Sequence, residues 1–410
     1  MNPLIQLQKS ALLFVTALLL TCFALSPGAQ AVVPPPDGGY PGQNTAEGDN
    51  ALLNLTSGSD NTALGFSALL SNTTGSQNAA TGSLALSSNT TGNLNTANGF
   101  QALFSNTAGE ANTATGWRAL SSNTTGFGNT ATGWRALLSN TEGGSNTATG
   151  NDALIRNRTG GNNTATGAAA LQSNTTGFDN TATGIAALGN NTIGTQNTAN
   201  GVAALALNTI ASNNTAIGYF ALFVNRTGSE NTATGANALF RNTTASNNTA
   251  TGFSALQENE TGRSNTANGF EALLNNTTGN GNTADGVRAL SNNTTGSRNI
   301  ALGVDAGLNL TTGNHNIVIG NSGFAVDSNK IRIGTPGLQT ATFIAGIRRV
   351  TVPSGLPVVV GLNGQLGTMA SSARFKESIK PMDKASEAIH ALRPVTFRYK
   401  SDTTNTPNSV

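Results

Sequence analysis

The chain has 410 residues, with 21 basic and 19 acidic side chains, a net charge of +2, a charged share of 10% and an aromatic share of 5%. A globular domain carries roughly a quarter charged residues, so ion pairs and a large aromatic core are excluded as the main sources of stability. No basic run stands out, which argues against the counterion-releasing surface that nucleic acid demands.

Residues 1–31 contain Lys9, an apolar run from Ala11 to Leu25, and the small-residue pattern Ala29-Gln30-Ala31. This reads as a secretory signal peptide cut after Ala31, so the mature chain is expected to be secreted or placed at the cell surface. The one cysteine, Cys22, lies inside the leader, and the mature chain is expected to hold no thiol, disulfide or Cys-ligated metal. His315 and His390 lie in different regions without accompanying carboxylates, so no metal, no Ser-His-Asp arrangement and no cofactor is expected. No later stretch approaches the ~20 apolar residues that a membrane-spanning helix needs.

After a Pro/Gly-rich linker at 32–43, the pentad Asn-Thr-Ala-x-Gly recurs every 17 residues from Asn44 to Asn316, in 17 copies without a break in phase. The unit reads N-T-A-[TNL]-G-x-x-A-L-x-x-N-T-T-G-x-x; one copy runs from Asn112 through Gly116, Ala119, Leu120, Asn123 and Gly126. Two Gly in each unit would cost a helix roughly 1 kcal/mol apiece relative to Ala, with further losses at Asn and Thr. Short strands between Gly turns fit better, and such units become stable only when stacked. The expected fold is therefore all-β, a parallel β-solenoid or β-roll of 17-residue coils over 44–320. At ~4.8 Å per coil it makes a rod of about 80 Å.

In this reading Ala114, Ala119 and Leu120 point inward, Asn112, Asn129 and Asn146 form an Asn ladder, and Gly116 and Gly126 supply turn geometry. The last two copies, at Asn299 and Asn316, replace Thr by aliphatic residues, as a capping or packing region would. The sixth position carries Phe66, Phe100, Trp117, Trp134, Tyr219, Phe253 and Phe270, an aromatic stripe suited to a subunit interface or to a ligand platform.

The Asn-Thr-Ala-x-Gly…Ala-Leu pattern resembles the head repeats of trimeric autotransporter adhesins. That resemblance implies a parallel homotrimer and an adhesive role, with a surface glycan or another cell-surface ligand as partner. Two other readings stay open. Thr113-Ala114-Thr115 and its equivalents resemble the Thr arrays of insect antifreeze proteins, although Asn98, Asn200, Asn268 and Asp285 interrupt the second column and Leu64 and Ile217 break it elsewhere. A glycan-degrading solenoid of the tail-spike kind would need paired carboxylates; Glu110, Glu142, Asp152, Asp179, Glu230 and Asp285 fall at scattered repeat positions. Asn-x-Thr triplets such as Asn123-Thr124-Thr125 match the glycosylation acceptor pattern but arise from the repeat itself.

Residues 321–370 read as a β-rich neck, with short strands at Lys330–Gly334, Phe343–Ile347 and Pro357–Val360. Then Ser371-Ser372-Ala373-Arg374-Phe375-Lys376 leads through Ile379 and Met382 to a short helix expected at Asp383–Leu392 and to Arg393-Pro394-Val395-Thr396-Phe397. Residues 371–410 resemble the start of the intramolecular chaperone auto-processing domain of phage tail spikes and endosialidases. In that family the domain assembles three chains, promotes folding of the upstream fibre and cuts itself off. Carried over, Ser371 is the nucleophile, Lys376 the base, and the cut falls between Ala370 and Ser371. A neutral, buried Lys amine can take the Ser proton without His or Asp. Ser372 stands where the family commonly has Asp, and the domain normally continues beyond the length found here, so the expected activity is an impaired serine endopeptidase.

Overall fold

The computed structural model describes residues 39–345 and 358–368. The chain divides into two units, 1–340 and 341–410. The first holds β1 (Gly39–Tyr40), β2 (Asn44–Glu47), one three-residue strand per coil from β3 (Thr62–Leu64) to β18 (Ile317–Ile319), and β19 (Ile331–Ile333). β1 turns back antiparallel on β2; from β2 to β19 every strand pairs in parallel with its successor in a single sheet. The expected all-β parallel solenoid of 17-residue coils is what the chain forms. Among the described residues there is no helix; the helix expected at 383–392 and the leader at 1–31 lie outside them.

Register follows from the repeat. Thr113, Ala114 and Thr115 face Thr130, Ala131 and Thr132, each residue opposite its equivalent in the next coil. The pairing continues beyond the strands: Leu120 N–H donates to Ala136 O at 3.0 Å and Thr124 N–H to Thr141 O at 2.9 Å. Each coil is thus hydrogen-bonded to the next at several points around its circuit.

The core is as narrow as the sequence implies. Ala114, Ala119 and Leu120 are wholly buried, as are their equivalents in the neighbouring coils, so a coil contributes two small side chains and one large one. A wider side chain in place of the strand Ala would strain an interior already at van der Waals contact.

The backbone that closes each coil is less ordinary than its sequence. Gly116 has φ +133°, and a Cβ there would lie 2.4 Å from Gly133 O, so glycine is required on both counts. Gly126 differs from the expectation of turn geometry: its φ is outside the left-handed region, and glycine serves there because a Cβ would lie 2.4 Å from Asn123 Oδ1 and 2.5 Å from Gly143 O. Arg118, Leu120 and Ala111, none of them glycine, adopt left-handed φ of 55°, 52° and 55°. Each such residue costs roughly 1–2 kcal/mol. The inter-coil hydrogen bonds and the buried Leu side chain hold them there.

The sheet runs past Gly320. Ile317 faces Ile331, so the final coil is shorter than the repeat, and Lys330–Gly334, read from sequence as the start of the neck, stacks on the solenoid. In the second unit β20 (Val358–Val360) and β21 (Leu366–Thr368) form an antiparallel hairpin closed by Gly361 N–H to Gln365 O at 2.8 Å. Phe343 and Ile344 are outside any strand; residues 346 and 347 of that expected segment are not described.

Candidate functional site

The solenoid turns its repeat positions into columns, and each column is a surface with one chemistry. The predicted Asn ladder is present and buried. Asn129 Nδ2 donates to Asn112 Oδ1 at 3.1 Å and to Gly143 O at 2.8 Å, and the same Asn112 Oδ1 accepts the Asn129 amide at 3.0 Å. A second ladder runs through Asn106, Asn123 and Asn140: Asn123 Nδ2 donates to Asn106 Oδ1 at 2.8 Å and to Gly126 O at 2.9 Å. Gly126 O also accepts from Asn112 Nδ2 at 2.9 Å, so both ladders meet on one carbonyl. Sequence reasoning recognised Asn123 as a recurring position but not as a second ladder; its recurrence beside an invariant first Asn was the available signal. Asn suits both roles because its side chain donates and accepts at once and so repeats without end.

A third column, of turn threonines, ties coils together at the edge. Thr124 Oγ1 donates to Thr141 O at 3.0 Å, and its equivalents do the same. On the strand face, by contrast, both threonines of the triplet point to solvent. Five successive strands, β6 (Thr113–Thr115) through β10 (Thr181–Thr183), read Thr-Ala-Thr with both Thr exposed and the Ala buried.

The sixth-position stripe lies outside the core. Trp117 is 39% and Trp134 42% exposed, and they stack at 5.4 Å with an interplanar angle of 14°. Phe100 continues that stack at 6.4 Å from Trp117, and Phe253 stacks on Phe270 at 5.5 Å. The Arg135 guanidinium lies 3.7 Å from the Trp134 ring centroid and forms a bidentate pair with Asp152 at 2.7 and 2.8 Å. That hydrogen bond raises the Arg135 pKa above its ordinary value.

Four of the six carboxylates weighed for glycan cleavage bind within the stack. Asp152 holds Arg135, Glu110 accepts from Asn93 at 3.0 Å, Asp179 from Asn162 at 3.1 Å and Asp285 from Asn268 at 2.9 Å, each partner one coil away. Among the described residues no three His, Cys, Asp or Glu side chains gather as metal ligands.

The solenoid's C-terminal end has its own device. Asp327 O accepts Asn316 Nδ2 at 3.0 Å, ending the first Asn ladder. The Asp327 carboxylate is buried, pairs with Arg332 at 2.7 Å and accepts the Phe324 amide at 3.0 Å. The Arg332 hydrogen bond, against the opposing effect of burial, holds that carboxyl below its ordinary pKa, with help from the Phe324 amide and the charges of Arg332 and Lys330.

Ala370, Ser371 and Lys376 lie outside the described residues. There, comparison with known proteins is informative: residues 371–409 match the family described as the chaperone of endosialidase. No curated protein and no solved structure matches the chain. The class defined by fold and match together is fibre-like, a parallel β-solenoid in a chain whose C-terminal segment matches the chaperone-of-endosialidase family.

Proposed function

We propose that this chain is an exported structural or adhesive fibre that assembles as a parallel homotrimer through its C-terminal segment. The match of residues 371–409 to the chaperone of endosialidase carries the reading. A solenoid of near-identical coils supports it physically, because identical coils can stack in the wrong register, and a chaperone in the same chain that brings copies together would favour correct stacking.

The same segment is proposed to descend from a self-cleaving domain and to carry its Ser-Lys pair in an impaired form. In this proposal Lys376, acting as a neutral amine, takes the proton of the Ser371 hydroxyl, whose oxygen attacks the carbonyl carbon of Ala370. The Ala370–Ser371 amide breaks as its nitrogen takes up that proton, and water then hydrolyses the resulting ester. The products are a chain ending at Ala370 and a fragment beginning at Ser371. Intact mass of the purified protein beside a Ser371→Ala variant tests this: loss of the piece from residue 371 onward only when Ser371 is present supports it, and full-length masses that differ only by the one oxygen of the substitution reject cleavage.

A second reading, an ice-binding face, is favoured by one observation, the uninterrupted exposed Thr-Ala-Thr block from β6 to β10. Its hydroxyls and methyls repeat at about 4.8 Å between coils and about 7 Å along each strand, a grid that a water lattice can match. Equal melting and freezing points in a thermal-hysteresis assay would remove this reading.

A further inference from the structure

We infer that the sixth-position stripe is the face along which copies of this chain pack side by side, parallel and in register. The inference rests on the self-assembly proposed above, which sets the copies parallel, and it names the surface they share.

The stripe is too apolar to be incidental. Besides the stacked aromatics it presents Ile185, Val202, Val287 and Val304, at 58%, 42%, 41% and 66% exposure, with Ser83 and Asn151 among its polar interruptions. Aromatic side chains offer about 150–250 Å² each; at the observed exposures the stripe presents on the order of 1,000 Å² of apolar surface. Summed over stretches separated by Ser83, Asn151 and the small Ala168 and Ala236, that total matches the ~800 Å² per partner of a stable complex.

Its geometry selects the occupant. Five of the seven rings, Phe100, Trp117, Trp134, Phe253 and Phe270, stack face to face within the chain, so these offer edges outward and leave little open ring face for a sugar to cover. Edges favour packing against other rings edge to face. The stripe also repeats once per coil along most of the rod. A partner touching it throughout needs the same repeat, and a second copy of this solenoid has it. In parallel register the Trp117–Trp134 pair meets its own equivalent, and Asn151, one of the polar interruptions, meets Asn151, which can satisfy it. On the flank Arg135 and Arg288 are paired within the chain with Asp152 and Asp305, and Arg118 lies over the Trp117 ring.

Trp117 and Trp134 are the two tryptophans of the sequence, so intrinsic fluorescence of the full chain reports on this stripe. The experiment combines sedimentation with emission wavelength and iodide quenching, using a Phe253→Glu/Phe270→Glu variant as comparison and far-ultraviolet circular dichroism to confirm an unchanged fold. The expected result is a trimer with blue-shifted emission and quenching several-fold weaker than in the variant. A trimer whose tryptophans quench as freely as an indole in water would overturn the stripe while leaving the assembly intact; a folded monomer would overturn both. In a Cys22→Ser background, Phe66→Cys and Val304→Cys should each give a homotypic disulfide dimer on oxidation. An antiparallel arrangement would give neither, and that outcome would refute the register.

Discussion

Replacing Asn146 by Ala isolates what one rung of the first ladder contributes, and Asn140→Ala, in the second ladder close by, is its control. Both side chains are fully buried, so the cavities left behind are alike. Asn146 loses four hydrogen bonds: its Nδ2 donates to Asn129 Oδ1 and Gly160 O, and its Oδ1 accepts the Asn163 amide and Asn163 Nδ2. Asn140 loses three, two donated by its Nδ2 to Asn123 Oδ1 and Gly143 O and one accepted from Asn157 Nδ2. In the control two of the three former partners keep another bond, since Gly143 O still accepts from Asn129 and Asn157 Nδ2 still reaches Gly160 O, while Asn123 Oδ1 loses its donor. In the Asn146 variant the buried Asn163 amide is left without its acceptor. Each variant then leaves one buried polar atom without a partner, so the difference is the one extra hydrogen bond, and at about 1 kcal/mol per net bond Asn146→Ala should cost about 1 kcal/mol more than Asn140→Ala. Urea unfolding with an unchanged m-value measures the difference, and hydrogen exchange at the Asn163 amide localises it. Equal costs, or a larger cost for Asn140, would refute the account of the first ladder as the one that also holds the backbone.

Three further outcomes follow from the same geometry. Gly116→Ala should cost about 3 kcal/mol or more in thermal or urea unfolding, since strain at positive φ adds to a backbone overlap, whereas Gly126→Ala should cost distinctly less because Ala211 and Ala245 already occupy the equivalent position in other coils. Ser145→Gly should stabilise by about 0.5–1 kcal/mol, the relief of a left-handed residue less the entropy of glycine, since Ser145 has φ 57° and Gly128 and Gly281 stand at the same repeat position. Asp327, with its folded pKa depressed, contributes stability that is complete above its unfolded value of roughly 3.9 and is lost as pH falls through the lower folded value. Amide protection of Ile331–Ile333 should therefore drop in acid, and Asp327→Asn should lower that protection at neutral pH and flatten its acid dependence.

The buried columns of Ala114, Ala119 and Leu120 and the ladder through Asn112 could be read directly from the repeat, because in a stacked solenoid the neighbour of each residue is its own equivalent one period away. The exposed stripe was legible for the same reason. Gly126 was read as a turn residue because sequence distinguishes poorly between a glycine needed for its φ and one needed for space. Ser371 and Lys376 rest on a motif in a segment outside the described residues, and the match at 371–409 supports the segment's family without placing the two side chains.

By itself, then, the sequence determined the period, the inward face and the all-β stacking, since a strict repeat makes lateral contacts a matter of counting. The tertiary structure alone decided where the backbone turns left-handed at Arg118 and Leu120, how two Asn columns converge on Gly126 O, and how the shortened last coil ends on the Asp327–Arg332 pair. Those features depend on the path and closure of the coil, where atoms far apart in the unit meet, and a periodic pattern of residue types carries no record of that distance.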